Sequence, residues 1–113
     1  MHELSLMQEA LAIALTHAQQ AGAARIHLLT MRVGVLSGVV PDALRFAFDV
    51  LRQGTLADGA ELRIEAVPIL AHCAPCGREF ETADPLGACP RCGGPASQVR
   101  QGRELELGSL EVS

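Results

Sequence analysis

The chain contains no tryptophan, no tyrosine and no lysine, and only 3% of its residues are aromatic. Its nine basic side chains are all arginines, thirteen residues are acidic, and the formal net charge is −4. Proteins that bind nucleic acids usually carry a basic face for the phosphates or aromatic side chains on which bases stack. The composition therefore disfavours a nucleic-acid partner.

Long apolar runs are also absent, because the longest unbroken one covers six residues, 10–15, whereas a membrane-spanning helix needs about 18. We expect no membrane span. The opening Met-His-Glu lacks the basic region and long apolar stretch of a secretory signal, which predicts a cytoplasmic protein with reduced thiols. In that compartment the four cysteines indicate a metal site rather than disulfides.

What the chain does have is an ordinary globular composition, with 49% hydrophobic and 19% charged residues over 113 positions. This length supports one hydrophobic core and one small satellite. Apolar residues recur at helical spacing over residues 5–21 and 41–54, and they alternate at strand spacing over 26–36, 61–67 and 105–112. The pattern predicts an α+β fold in which two helices pack on a three-stranded sheet.

Between the second and third predicted strands lies a segment that is rich in glycine, proline and cysteine and has few apolar side chains. We therefore divide the chain into an α+β domain of residues 1–70 plus 98–113 and an insert of residues 71–97. The insert contains Cys73-x-x-Cys76 and Cys89-x-x-Cys92, separated by twelve residues. Two such pairs supply the four soft sulfurs that tetrahedral Zn²⁺ accepts, which predicts a zinc ribbon with one hairpin between the pairs.

Four thiolates fill the coordination sphere of zinc and leave no position for a substrate, so this site is predicted to be structural rather than catalytic. His72, next to Cys73, is a neighbouring group more than a ligand. A pair of disulfides and a redox-active dithiol are the other interpretations of four cysteines, and the reduced compartment and the paired spacing disfavour both.

A second candidate site lies at the amino terminus. There the amine of Met1, the amide nitrogen of His2 and the imidazole of His2 can form adjacent chelate rings around Ni²⁺ or Cu²⁺, which favour planar nitrogen ligands. Glu3 could supply the fourth ligand of this planar site, or polarise that position, through its amide or its carboxylate. The residues alone leave another interpretation open, namely an incidental histidine on a frayed terminus.

Three features in this order resemble the nickel metallochaperones of nickel-iron hydrogenase maturation: the opening Met1-His2-Glu3-Leu4-Ser5, the run GVVPDALRFAFD at residues 38–49, and the paired cysteine motifs. The resemblance implies that nickel is carried at His2 with Met1 and Glu3 beside it, that zinc is bound by the four cysteines, and that no reaction is catalysed. It also implies two partners, a nickel-loading GTPase and the hydrogenase large subunit, and in some members urease maturation proteins. Nothing in the sequence chooses between a monomer and a homodimer.

Two rival interpretations remain at this point. In one, the chain is a zinc-ribbon module for a protein or nucleic-acid partner, and its amino terminus is inert. In the other, the cysteine pairs form a reversible dithiol couple, and the protein would lose its zinc on mild oxidation.

Overall fold

The computed structural model describes residues 3–82, 88–94 and 98–113. The elements, in chain order, are α1 (Glu3–Gln20), β1 (Ile26–Gly34), α2 (Pro41–Leu51), β2 (Glu61–Val67), β3 (Ile69–Cys73), β4 (Arg78–Thr82), β5 (Gln98–Gln101) and β6 (Leu105–Val112). They form two three-stranded sheets, with strand orders β2-β1-β6 and β4-β3-β5. The predicted α+β class, with two helices and a three-stranded sheet, is confirmed.

The chain divides into two compact units. The helical unit comprises Met1–Arg32, Gly38–Glu65 and Glu106–Ser113, and the ribbon unit comprises Val33–Ser37 and Ala66–Leu105. The ribbon unit thus includes more residues than the insert of residues 71–97 that the composition predicts. The boundaries of that insert, at residues 71 and 97, remain a prediction.

In the helical unit, α1 packs along α2. The buried stripe of α1 follows the periodicity seen in the sequence and consists of Met7, Ala10, Leu11, Ala14 and Ala18. The helix begins at Glu3, two residues earlier than the pattern predicts, and Gly22 ends it with a φ of 71°. Glycine adopts this left-handed backbone without steric cost, which is why helices commonly stop there.

The shorter helix α2 has Pro41 in its first turn, as expected, and it ends at Leu51 instead of continuing to Gly54. Its buried face consists of Leu44, Ala47 and Phe48. Proline suits the first helical position because the amide hydrogen that it lacks would have no intrahelical acceptor there. The residue before it, Val40, is the N-cap and offers no side-chain cap.

The ribbon unit contains the sheet that the sequence did not reveal. β3 pairs antiparallel with β4 on one side and with β5 on the other. The sequence predicts one hairpin between the two cysteine pairs, and residues 83–87 of that stretch lie outside the described residues. In the structure the first pair itself occupies the β3–β4 turn, because Cys73 ends β3 and Arg78 begins β4.

A short piece of the first sheet's central strand belongs to the ribbon unit because two glycines let its backbone approach closely. A Cβ on Gly34 would meet the carbonyl group of Gly102 and lie 2.7 Å from the amide nitrogen of Arg103. The amide of Gly34 donates to the carbonyl oxygen of Glu104 at 2.6 Å. Within the described residues, no helix is both long and apolar enough to cross a bilayer.

Candidate metal centre

Two turns of the same design hold the four thiols. In the first, the amide of Gly77 donates to the carbonyl oxygen of Cys73 at 2.8 Å. In the second, the amide of Gly93 donates to the carbonyl oxygen of Cys89, also at 2.8 Å. Each glycine directly follows its C-x-x-C motif and has a positive φ, 64° and 71° respectively. The sequence C-x-x-C-G therefore builds a tight turn that directs both sulfurs of a pair to one side.

The four sulfurs converge on one point. They all lie within 4.8 Å of one another, and they are the Sγ atoms of Cys73, Cys76, Cys89 and Cys92. The Sγ atoms of Cys73 and Cys92 are 3.4 Å apart, and those of Cys76 and Cys89 are 3.8 Å apart. Sulfurs about 2.3 Å from a tetrahedral zinc ion would be separated by about 3.8 Å, so the cluster fits that ion.

Backbone amides also point at the sulfurs of the second turn. The amide of Arg91 donates to the Sγ of Cys89 at 3.4 Å, and that of Gly94 donates to the Sγ of Cys92 at 3.3 Å. Hydrogen bonds of this kind favour the charged form of sulfur, which is the form that binds a metal. The second turn is therefore suited to hold thiolates.

The thiols differ in acidity. Amide donors from Cys92 and Arg91 lower the pKa of the Cys89 thiol to about 6. The Cys76 thiol has its pKa raised to about 12, first because it shares a hydrogen bond with Cys92 and then because of burial. For Cys73 the amide of Cys76 opposes the shift, but burial and the hydrogen bonds with Cys92 and Cys89 outweigh it and raise the pKa. Without a metal, Cys73 and Cys76 are protonated at neutral pH.

Zinc binding should therefore release protons. At pH 7 the ion must displace at least those of Cys73 and Cys76, so we expect the apparent zinc affinity to rise by at least about 100-fold per pH unit near neutrality. Calorimetric titration in two buffers of different ionisation enthalpy measures the number of protons released. Protein alkylated at its thiols serves as the control and should release none, and a pH-independent affinity for the unmodified protein would contradict the thiol ligands.

His72 is not part of the cluster of ligand atoms found among the described residues, which consists of the four cysteines. It lies on β3 opposite Glu79 of β4 and Gln98 of β5. Its Nδ1 atom is buried and has no hydrogen-bond partner among the described residues. Its predicted role as a group neighbouring the cluster stays a prediction.

The amino-terminal candidate site is described only in part, since Met1 and His2 lie outside the described residues. Glu3 opens α1, and its Oε1 atom accepts a hydrogen bond from the amide of Val40 at 3.4 Å. Val40 is the N-cap residue of α2 and makes no capping hydrogen bond with its own side chain. The carboxylate of Glu3 on α1 therefore accepts a hydrogen bond at the amino-terminal end of α2. Sequence reasoning did not find this contact. Its only sequence signal is the missing Ser, Thr, Asp or Asn before Pro41.

Comparison with known proteins adds the family. Residues 1–112 match the family model described as "Hydrogenase/urease nickel incorporation, metallochaperone, hypA". The chain is 47% identical to the hydrogenase maturation factor HypA of a Picosynechococcus species over 112 residues, which is 99% of each chain. It is 47% identical over 113 residues to the factor of the same name from Chloroflexus aurantiacus, again over 99% of each chain.

The fold is shared as well. The solution structure of the Ni metallochaperone HypA from Helicobacter pylori is 28% identical, with a TM-score of 0.69 over 99% of this chain and 97% of that one. A metallochaperone acts in the maturation of other proteins and is not an enzyme. From the first residues to the last strand, the chain belongs to the HypA family of hydrogenase and urease nickel-incorporation metallochaperones.

Proposed function

We propose that this chain carries Ni(II) at its amino terminus and delivers it to the large subunit of nickel-iron hydrogenase during maturation. The nickel ligands are the amine of Met1, the amide nitrogen and imidazole of His2, and a group of Glu3. The observation that carries this proposal is the family match over residues 1–112, because it includes the Met-His-Glu opening.

The position of Glu3 supports its amide nitrogen as the fourth nickel ligand. The first four amides of an α-helix have no intrahelical acceptor, and Glu3 begins α1, so its amide can bind a metal without breaking a helical hydrogen bond. Its carboxylate contacts Val40 instead. An amine, two amides and an imidazole form a planar nitrogen set, which Ni²⁺ favours.

A structural zinc ion held by Cys73, Cys76, Cys89 and Cys92 completes the proposal. Soft thiolates favour zinc and planar nitrogen ligands favour nickel, so the two metals can bind selectively at separate sites in one chain. The partners proposed are the nickel-loading GTPase and the hydrogenase large subunit, with urease maturation proteins as further recipients. Such a role belongs to the cytoplasm, where thiols remain reduced.

Nickel titration of untagged, zinc-loaded protein tests the amino-terminal site. We expect about one equivalent of Ni²⁺ to bind at about pH 7.5. Its affinity should rise steeply between roughly pH 6 and 8, because the imidazole and amine lose their protons in this range and each ligating amide nitrogen releases its proton to solvent when it binds the metal. The variant His2→Ala, and a chain extended by one residue before Met1, should bind nickel much more weakly while the zinc content stays unchanged. The control His17→Ala, which alters a histidine at the far end of α1, should bind normally.

Two outcomes would overturn this site. One is full nickel binding by His2→Ala, and the other is a sulfur-to-nickel charge-transfer band showing nickel at the cysteines. An amino terminus that binds no nickel would leave only the zinc-ribbon interaction module. Delivery is tested separately, by the nickel content of metal-free large subunit after incubation with the loaded chaperone and the GTPase.

A further inference from the structure

The outward face of α2 carries two large apolar side chains that are exposed to solvent and so add little to the stability of the fold. The side chain of Phe46 is 72% exposed, the largest exposure among the large hydrophobic residues of the described chain, and Val50 is 50% exposed. These two residues are four positions apart and so lie on one face of the helix. The buried face of α2 is formed by Leu44, Ala47 and Phe48. Phe46 and Val50 are therefore free to contact another molecule.

Carboxylates surround this apolar pair. Asp42 lies four residues before Phe46 and Asp49 three residues after it, so both are its neighbours on the helix surface. Asp42 forms no ion pair within the described residues, and the only ion pair of Asp49 there is to Arg52 at 3.4 Å. The pattern is an apolar ridge with one carboxylate before its amino-terminal end and another along its side.

The arginines of α2 and its C-cap neutralise this face only at Asp49, through the ion pair with Arg52, and their other described bonds are to backbone carbonyl groups. Arg45 donates to the carbonyl oxygen of Leu62 at 3.0 Å, and Arg52 donates to that of Ala60 at 2.7 Å. The helical unit as a whole contains nine carboxylate side chains and five arginines, so it holds the entire net charge of −4. Among the described residues, Asp42 and Glu61 form no ion pair, so these two carboxylates can pair with a cation of another molecule.

A groove beside the ridge gives such a cation a place to lie. It has a volume of about 270 Å³ and is lined by Arg45, Phe48, Asp49, Ala60, Glu61 and Leu62. Two carboxylates, of Asp49 from α2 and of Glu61 from β2, thus border one groove. A long basic side chain can lie in this groove with its charged end near these carboxylates.

We propose that the α2 face, meaning Phe46 and Val50 with Asp42, Asp49 and Glu61, is a docking surface for a basic amphipathic helix of another protein. Apolar side chains of that helix pack on Phe46 and Val50, and a flanking arginine or lysine enters the groove. Symmetric pairing of two copies is disfavoured because it would oppose their aspartates while Arg45 and Arg52 stay hydrogen-bonded. This surface does not depend on nickel or zinc binding.

Two synthetic helical peptides test the proposal. Both carry leucines at positions i, i+3, i+4 and i+7. One has arginines on the flanks of this stripe, and the other has glutamates at the same positions. NMR titration of isotope-labelled, zinc-loaded protein should show shifts confined to residues 42–53 and 60–62 with the arginine peptide and none with the glutamate peptide.

Variants locate the interaction. Phe46→Ser should weaken binding of the arginine peptide by at least about tenfold, and Asp49→Asn should weaken it and reduce its dependence on salt. The matched control is Ile13→Ser, which changes a residue of α1 that is 45% exposed, and it should bind normally. Circular dichroism confirms that each variant folds.

Three results would overturn the proposal. Equal binding of the two peptides would show that charge plays no part, and an unchanged affinity of Phe46→Ser would show that the ridge is not contacted. Concentration-dependent shifts of residues 42–53 in the free protein would show that a second copy occupies this face.

Discussion

Removing the proposed zinc ion with a strong chelator should unfold the ribbon unit and leave the helical unit folded. The ribbon unit has few fully buried apolar side chains, and two of its buried residues are the cysteines Cys73 and Cys89. An apparent binding energy of about 10–16 kcal/mol for structural zinc matches or exceeds the stability of a whole domain. Without the ion, this small core cannot offset the conformational entropy of the chain.

Amide hydrogen exchange measures this outcome element by element. Protection should be lost in β3, β4 and β5 and kept in α1 and α2. The variant Cys73→Ser should show the same pattern without a chelator, because its side chain is fully buried in the cluster and a hydroxyl is a poor zinc ligand. Arg78→Ala, which alters the residue just after Gly77 and removes no sulfur, is the matched control. An ordered ribbon in the metal-free protein would contradict a metal-dependent fold.

The elements that could be predicted from the sequence are those in which apolar spacing decides the structure. Both helices bury one face at helical spacing, and the sequences of β1, β2 and β6 carry apolar residues near strand spacing, so the sequence pattern alone reveals these elements. The cysteine cluster could be predicted too, because C-x-x-C-G encodes its own turn. Nothing in that inference required knowledge of distant contacts.

The second sheet could not be predicted, because no periodic apolar pattern marks β4 or β5 and because β3 follows β2 almost directly. β4 has the sequence REFET, of which no residue is buried, and β5 is four residues long. β3 does alternate, but only Pro68 separates it from β2, so the two strands read as one run. Backbone pairing beside the cysteine turns forms this sheet, and such pairing leaves little trace in composition. The contact of Glu3 with Val40 spans 37 positions and was equally invisible.

Substituting the two phenylalanines of α2 should have very different effects on stability. Phe48 is 2% exposed, and the guanidinium carbon of Arg52 lies 5.6 Å from the centre of its ring. Phe48→Ala should lower the free energy of unfolding by about 3–5 kcal/mol, since it leaves a cavity and removes a cation–π contact. Phe46→Ala removes the same atoms from a solvent-exposed position and should change stability by no more than about 0.5 kcal/mol.

Urea denaturation of the zinc-loaded protein, followed by far-ultraviolet circular dichroism, compares the two variants. Helical signal is the suitable probe, because the chain has no tryptophan or tyrosine and the helices belong to one unit. Equal losses would mean that Phe46 also supports the fold, and its effect on peptide binding could then not be assigned to direct contact. The expected difference instead separates the two faces of one helix: Phe48 stabilises the helical unit, and Phe46 remains available to a partner.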